Sequence, residues 1–284
     1  MAKNKHNHLL ILGEYATGKT TYGGQLYERL KARTGSLRLH SAPQNISPFS
    51  DPLRRLAQGT SPMHTPISAY DEVILSVSMP DGRIVELIWP DYGGEQITSI
   101  MRTQHIHENW LKRLSESNSW LLFIRLNNLT IYETFLTESI GVNSIAQVNE
   151  QKEEPNQSWS SVAALIELLQ MSLYAKGVGT IERVVTPSLL IFLSCWDEMD
   201  EDDQAQIPAR LLQTRLPLFY EFIATTWKPE RFAIWGLSST GVRLDSDQSN
   251  EAYLDDGPQQ FGYVILPDGT HQKDLTLPLL KLME

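Results

Sequence analysis

Apolar residues fall in short dense runs separated by stretches with helical spacing, an alternation that predicts a layered α/β chain. Leu9-Leu10-Ile11-Leu12, Trp120 to Leu126 and Leu189 to Leu193 are nearly unbroken apolar runs, the pattern of strands buried on both faces. Between them, Thr21 to Thr34 carries Leu26 and Leu30 on one face, with Gly35 expected at its C′ position. Ser160 to Lys176 places Val162, Leu165, Ile166, Leu169 and Leu173 at helical spacing. Glu72 to Ser78 and Ile84 to Trp89 are β-rich and flank an Asp81-Gly82 turn, so they read as a hairpin. Gln104 to Ser115 suggests a polar-faced helix, Ala205 to Trp227 a helix interrupted near Pro217, and Phe232 to Leu237 a further strand. Tyr263 to Leu266, a Pro267-Asp268-Gly269 turn and a short helix from Leu275 to Met283 close the chain. The expected fold is α/β: a mostly parallel sheet with one antiparallel hairpin strand, helices on both faces, and ligands at the carboxyl ends of the strands.

Three segments lack this patterning. From Leu37 to Tyr70 the chain is broken by Pro43, Pro48, Pro52, Gly59, Pro62 and Pro66 and reads as a long loop (residues 37–70). Loops of that length inside a compact domain are usually functional or mobile. Residues 127–157 are polar, with Glu150, Glu153, Glu154 and Pro155, and read as an insertion without chemistry of its own. Asp245 to Asp256 is acidic and reads as a surface loop within a C-terminal extension, residues 242–284. With 284 residues, 41% of them hydrophobic, the chain can bury a full core, and one domain over residues 1–284 accommodates every element.

A net charge of -10 argues against a general binder of nucleic acid or anionic membrane, which are captured by excess Lys and Arg. The single cysteine, Cys195, excludes an internal disulfide and fits a reducing cytosol. No apolar stretch approaches the ~20 residues needed to span a bilayer. Met1 to His8 is basic like the start of a secretory signal, but its apolar segment ends at Leu12 with no cleavage-like site after it. A soluble cytoplasmic protein is expected. His6 and His8 invite reading as a metal pair; a short, frayed N-terminal arm is the expectation.

The strongest chemical signal follows the first apolar run. Gly13-Glu14-Tyr15-Ala16-Thr17-Gly18-Lys19-Thr20 is a GxxxxGK[ST] string between a strand and a helix, the arrangement that aims backbone N–H groups and a helix N-terminus at phosphates. Gly13, Thr17, Gly18, Lys19, Thr20 and Thr21 are the candidate phosphate cradle. Lys19 would neutralise the terminal phosphates, and Thr20 would offer its hydroxyl to a magnesium ion. Thr65, before Pro66, is a candidate magnesium and γ-phosphate ligand in a segment that a triphosphate would order; an ordinary extended turn fits as well. The second hairpin strand runs into Asp91-Tyr92-Gly93-Gly94-Glu95-Gln96. Asp91 would hold magnesium through water, and Gly94 would turn its N–H to a γ-phosphate with no side chain in the way. Glu95 stands where a catalytic glutamine would orient the attacking water. A carboxylate there is repelled by the triphosphate, so slow intrinsic hydrolysis is expected. Gln96 is the next candidate, at the cost of a one-residue shift of the loop.

At the end of the Leu189 to Leu193 run stands Ser194-Cys195-Trp196-Asp197-Glu198. Guanine presents N1–H and its N2 amino group side by side, so one ionised carboxylate accepts both, whereas adenine has no such donor pair. Asp197 fits that role. An N-cap explains the same pattern, with Asp197 or Asp200 opening a helix. Trp196 fits either stacking on the base or packing in the core. Ser238-Ser239-Thr240-Gly241 reads as a loop whose backbone closes over guanine O6, or equally as a serine-rich turn.

Taken in order, Gly13 to Thr20, Thr65, Asp91 to Gly94, Ser194 to Asp197 and Gly236 to Ser239 resemble the motif set of Ras-like, TRAFAC-class P-loop GTPases. The long first switch region, the Trp-Asp-Glu form of the base motif and the Gly262 to Gly269 string resemble, more narrowly, the double-GTPase families of bacterial conflict systems. The resemblance implies GTP or GDP with Mg2+, switching in company with protein partners encoded nearby, and a part in antiphage defence. Two departures matter. The usual base motif is Asn/Thr-Lys-x-Asp, and Cys195 stands where the lysine stem would pack along the base; Glu95 stands for glutamine. No arginine is assigned as a transition-state finger: Arg54 and Arg55 are candidates, or a partner supplies the charge. Two other readings stay open: a GTP-loaded scaffold without significant hydrolysis, and a P-loop ATPase or small-molecule kinase in which Asp197 is a cap.

Overall fold

The computed structural model describes residues 5–63, 70–92, 95–103, 105–129, 161–179 and 181–283. Among these residues, nine strands form one sheet in the order β2-β3-β4-β1-β5-β6-β7-β8-β9. They are β1 (Lys5–Leu12), β2 (Arg38–Leu39), β3 (Tyr70–Ser78), β4 (Ile84–Tyr92), β5 (Ser119–Ile124), β6 (Ser188–Ser194), β7 (Phe232–Ser238), β8 (Tyr263–Ile265) and β9 (His271–Gln272). The run β4-β1-β5-β6-β7 is parallel throughout. The antiparallel part is larger than the one hairpin strand expected, because β2 extends the β3–β4 hairpin at one edge while β8 and β9 turn back at the other.

Alternate residues of the central strands enter two cores. Leu10, Leu12, Leu122, Ile124, Ile191 and Leu193 pack on one face, under α4 (Glu108–Glu116), α5 (Ser161–Ala175), α7 (Pro208–Arg215) and α8 (Pro217–Thr226). Leu9, Ile11, Leu121, Phe123, Leu190 and Phe192 pack on the other, against α1 (Lys19–Ala32), α2 (Ser47–Ala57) and α10 (Leu277–Met283). Helices on both faces explain why β5 and β6 carry continuous apolar runs rather than alternation.

Several expectations give way locally. Segment 37–70 contains β2 and α2 as well as loop. Pro48 sits in the first turn of α2, where an absent N–H goes unmissed, and Pro52 lies inside it. That internal proline gives up a helical hydrogen bond. In return Phe49, Pro52 and Leu56 are buried, with Pro52 and Leu56 lying over Gly24 of α1. The left-handed residue that ends α1 is Arg33 (φ 57°), not Gly35. Gly35 instead lets the C-terminal segment approach: a Cβ there would lie 2.4 Å from Asp274 Oδ1. His6 and His8 belong to β1 rather than to a frayed arm, and His8 Nδ1 lies 3.6 Å from Glu116 Oε2. The helix expected from Gln104 begins at Glu108 as α4, and a separate α3 (Glu95–Thr103) precedes it.

The C-terminal extension is built into the core. The acidic stretch from Asp245 holds α9 (Glu251–Asp256), whose Tyr253 is fully buried and receives a 2.6 Å hydrogen bond from Gln25 Nε2 of α1. Ser61 N–H donates to the Asp245 carbonyl (2.8 Å) and Asn250 N–H to that of Gly59 (3.0 Å), joining this segment to residues inside the expected switch-like loop 37–70. The polar insertion expected at 127–157 lies almost wholly outside the described residues, as does Thr65.

Candidate nucleotide-binding site

Four loops meet at the carboxyl ends of β1, β5, β6 and β7 around a cavity of about 300 Å³. The first is the glycine loop. Gly13 (φ 151°) cannot bear a side chain, since a Cβ would lie 2.9 Å from Thr17 Oγ1 and 3.0 Å from the Phe123 carbonyl oxygen. Gly18 (φ 82°) is the N-cap residue of α1, whose first turn contains no acidic side chain. The positive end of a 14-residue helix therefore faces the cavity without a protein counter-charge of its own. Thr17, Gly18, Lys19, Thr20 and Thr21 all line the cavity. Lys19 is folded back into the loop, its Nζ donating to the carbonyls of Gly13 (2.9 Å) and Glu14 (2.6 Å). Burial raises the Glu14 carboxyl pKa above the ordinary range, with the Lys19 charge opposing the shift.

The base-motif loop follows β6. Cys195 adopts a left-handed conformation (φ 55°), as does Ala16 in the glycine loop (φ 57°). Among the described residues, two of the three non-glycine residues in that region of backbone space thus flank the cavity, each at a cost of roughly 1–3 kcal/mol that the surroundings must sustain. Burial pushes the Cys195 thiol up to about 12, so it is neutral. Trp196 is 1% exposed and packs over Gly236 of β7, where a Cβ would meet its ring at 2.5 Å. It is a core residue and does not stack in the cavity. This glycine–indole contact fixes the loop.

Asp197 lies in the short 3-10 turn Trp196–Glu198 and lines the cavity. The capping role falls to Asp200, whose side chain accepts from Asp203 N–H at 2.8 Å and opens α6 (Glu201–Gln204). The Asp197 carboxyl is hydrogen-bonded by Ser238; burial raises its pKa above the ordinary aspartate range and outweighs that bond. Ser238 is fully buried, and its Oγ also accepts from Gly241 N–H (2.8 Å), so it braces the loop that brings Ser239 and Thr240 to the cavity wall.

Sequence reasoning missed Arg125, Glu198 and Arg243, which all line the cavity. Arg125 directly follows β5 and forms an ion pair with Glu198, while its Nη1 donates to the Ala16 carbonyl at 3.1 Å. A cation ending a strand beside two loop motifs was the available signal, but only the sheet order tells which loops it reaches. Arg54 and Arg55 have other partners: Arg54 pairs with Asp51, and Arg55 donates to the Ser246 carbonyl (3.1 Å). Gln96 accepts a 3.2 Å hydrogen bond from Trp110 Nε1. Asp91 is at the carboxyl end of β4 and Glu95 opens α3, but their side chains, like Thr65 and Gly94, lie outside what is described.

A nucleotide fits this lining: Ser194 Oγ, at the carboxyl end of β6, is buried on the cavity wall without a hydrogen-bond partner, and Lys19, Thr20 and the start of α1 supply donors on the wall formed by the glycine loop. No cluster of three or more His, Cys, Asp or Glu able to hold a metal occurs among the described residues.

Parallel sheet, glycine loop and base loop together define a Ras-like P-loop GTPase. The chain belongs to the Double-GTPase 1 family, whose sequence profile matches residues 10–282. No curated protein matches it in sequence. Among solved structures it resembles the Arl6 (BBS3) small GTPase of Trypanosoma brucei with bound GppNp, at 12% identity over 90% of this chain and 99% of that one, with a TM-score of 0.41. At that distance the likeness says nothing about this chain's chemistry. Among the described residues, no helix is long and apolar enough to cross a membrane.

Proposed function

We propose that the protein is a magnesium-dependent guanine-nucleotide switch of the cytoplasm that hydrolyses GTP slowly and works with protein partners, in bacterial defence. One observation carries the guanine reading: Asp197 is not used as a helix cap, is held by Ser238, and shares a cavity with the phosphate loop. Its carboxylate would accept the adjacent N1–H and N2 amino donors of guanine, and the Ser238 to Thr240 loop would close over the carbonyl edge. At the other end, Lys19 would exchange its carbonyl partners for phosphate oxygens, and the N–H groups from Gly13 to Thr21 would cradle them.

Thr20, Thr65 and Asp91 are the residues that would hold magnesium, which when bound neutralises charge on the β- and γ-phosphoryl oxygens. Gly94 would sense the γ-phosphate, and losing that contact together with the one at Thr65 would release their segments. Slow hydrolysis is supported by Glu95 at the water-orienting position and by the engagement of Gln96 with Trp110. Action beside protein partners is what the resemblance to the double-GTPase families implies.

Asp197→Asn tests the reading. An amide donates where the carboxylate only accepts, so affinity should move from GTP to xanthosine triphosphate. Unchanged GTP affinity in that variant would return Asp197 to a structural role and leave the ATPase or kinase alternative.

A further inference from the structure

We propose that Arg125 is a positioning residue for guanine recognition, latching the base-reading loop to the phosphate loop where the motif carries Cys195 and no lysine. The inference rests on the guanine reading of Asp197. It begins with sheet order. β5 lies between β1 and β6, so a side chain leaving its carboxyl end stands between the loop that follows β1 and the loop that follows β6. Arg125 reaches both: Nη1 donates to the Ala16 carbonyl at 3.1 Å, and the other arm of the guanidinium pairs with Glu198, the residue after Asp197.

Both members of the pair are mostly buried, with side-chain exposures of 20% and 17%, so the contact is less screened than a surface ion pair. Asn127, two residues along, donates from Nδ2 to the Glu198 carbonyl at 3.0 Å and holds the same loop by its backbone. Ala16 and Cys195, the two left-handed non-glycine residues among those lining the cavity, stand one in each of these loops, and Arg125 lies beside both. The planar fork explains the choice of residue. A guanidinium serves a carbonyl and a carboxylate at once in fixed geometry, which the single ammonium of lysine does less well. A neutral thiol at Cys195 cannot replace it.

The geometry therefore sets the separation between the phosphate anchor and the carboxylate that reads N1 and N2. Inosine triphosphate, which has the N1–H but not the N2 amino group, reports on that separation. The full-length protein and its Arg125→Met, Arg125→Lys and Glu198→Gln variants should be titrated with GTP and inosine triphosphate in magnesium, alongside thermal melts and turnover. Arg125→Met should weaken GTP about tenfold or more, the scale of a lost hydrogen bond to a charged group. It should weaken inosine triphosphate less, so that the preference between them shrinks. Glu198→Gln should move the preference in the same direction, Arg125→Lys should recover part of it, and combining Arg125→Met with Glu198→Gln should add little.

Equal losses for both nucleotides, with the preference intact, would overturn the proposal in favour of an ordinary structural pair. Loss of turnover at unchanged affinity would overturn it in favour of a charge-stabilising role at the phosphates. If Arg125→Met does not fold, the preference measured in Glu198→Gln and Arg125→Lys decides. A wild-type protein with no preference for GTP over inosine triphosphate removes the guanine reading itself, whereas a wild-type preference that all three substitutions leave intact removes only the latch.

Discussion

Gly236→Ala tests whether the base-reading loop is held by packing. Gly236 lies in β7, bonded on one side to β6 and on the other to β8, and its backbone conformation is one that alanine adopts freely. The cost is therefore steric. The new methyl would sit 2.5 Å from Trp196 Cε3, 2.8 Å from Cδ2 and 2.9 Å from Ile265 Cβ, against 3.4 Å for ordinary contact. Restoring contact distance needs about 0.9 Å of movement by an indole that is 1% exposed and has no flexible end to swing away. Overpacking of this kind costs about 1–3 kcal/mol. Since Trp196 directly precedes Asp197, its displacement is passed to the carboxylate, and hydrogen bonds tolerate little stretching beyond about 3.2 Å. The variant should lose about 1–3 kcal/mol in urea denaturation and at least about tenfold in GTP affinity by calorimetry. Gly24→Ala is the control. There the methyl meets Pro52 Cβ at 3.3 Å and Leu56 Cδ1 at 3.4 Å inside a helix, where alanine is favoured by roughly 1 kcal/mol. Its stability should change little and its GTP affinity not at all. Wild-type stability and affinity in Gly236→Ala would refute the claim that the glycine–indole contact sets the loop.

Further outcomes follow from the same geometry. Lys19→Ala should abolish triphosphate binding while circular dichroism and melting stay close to wild type; retained tight binding would contradict the phosphate cradle. Burial raises the Asp197 pKa, so its ionised form is lost on acidification at a higher pH than for an ordinary aspartate, and GTP affinity should fall there. For folding the sign is opposite. The unfolded chain ionises first as pH rises, so stability falls between the unfolded and folded pKa values and stays lowered above them, and Asp197→Asn should melt higher at neutral pH despite weaker GTP binding. An unchanged or lower melting temperature would contradict the burial. Tyr253→Phe removes the buried partner of Gln25, whose Oε1 is already without one, and should cost about 1–3 kcal/mol in denaturant unfolding.

The parallel core was legible because strands buried on both faces leave continuous apolar runs, and the glycine loop because phosphate cradling demands glycine at fixed spacing. Helix α2 was hidden by its own prolines. Pro48 fits a helix start, but Pro52 reads as a breaker, and only the close approach of Gly24 on α1 shows why its ring is tolerated inside. Gly35 looked like the end of α1 because glycine is the common left-handed residue; Arg33 takes that conformation, and Gly35 is needed for contact with Asp274 and Thr276, more than two hundred residues away in sequence. At the site, Asp197 and Asp200 are indistinguishable as caps in sequence. They separate only when the first is seen against Ser238 and the second against Asp203. Arg125 was invisible for the same reason: its partners Ala16 and Glu198 lie 109 and 73 residues away and meet it through strand order.

The most direct measurement is a calorimetric titration of the purified full-length protein with GTP, GDP and ATP in magnesium. The account predicts saturable binding of both guanine nucleotides, lost in Lys19→Ala, with ATP binding far weaker. Binding of ATP as tight as GTP, or tighter, would contradict it.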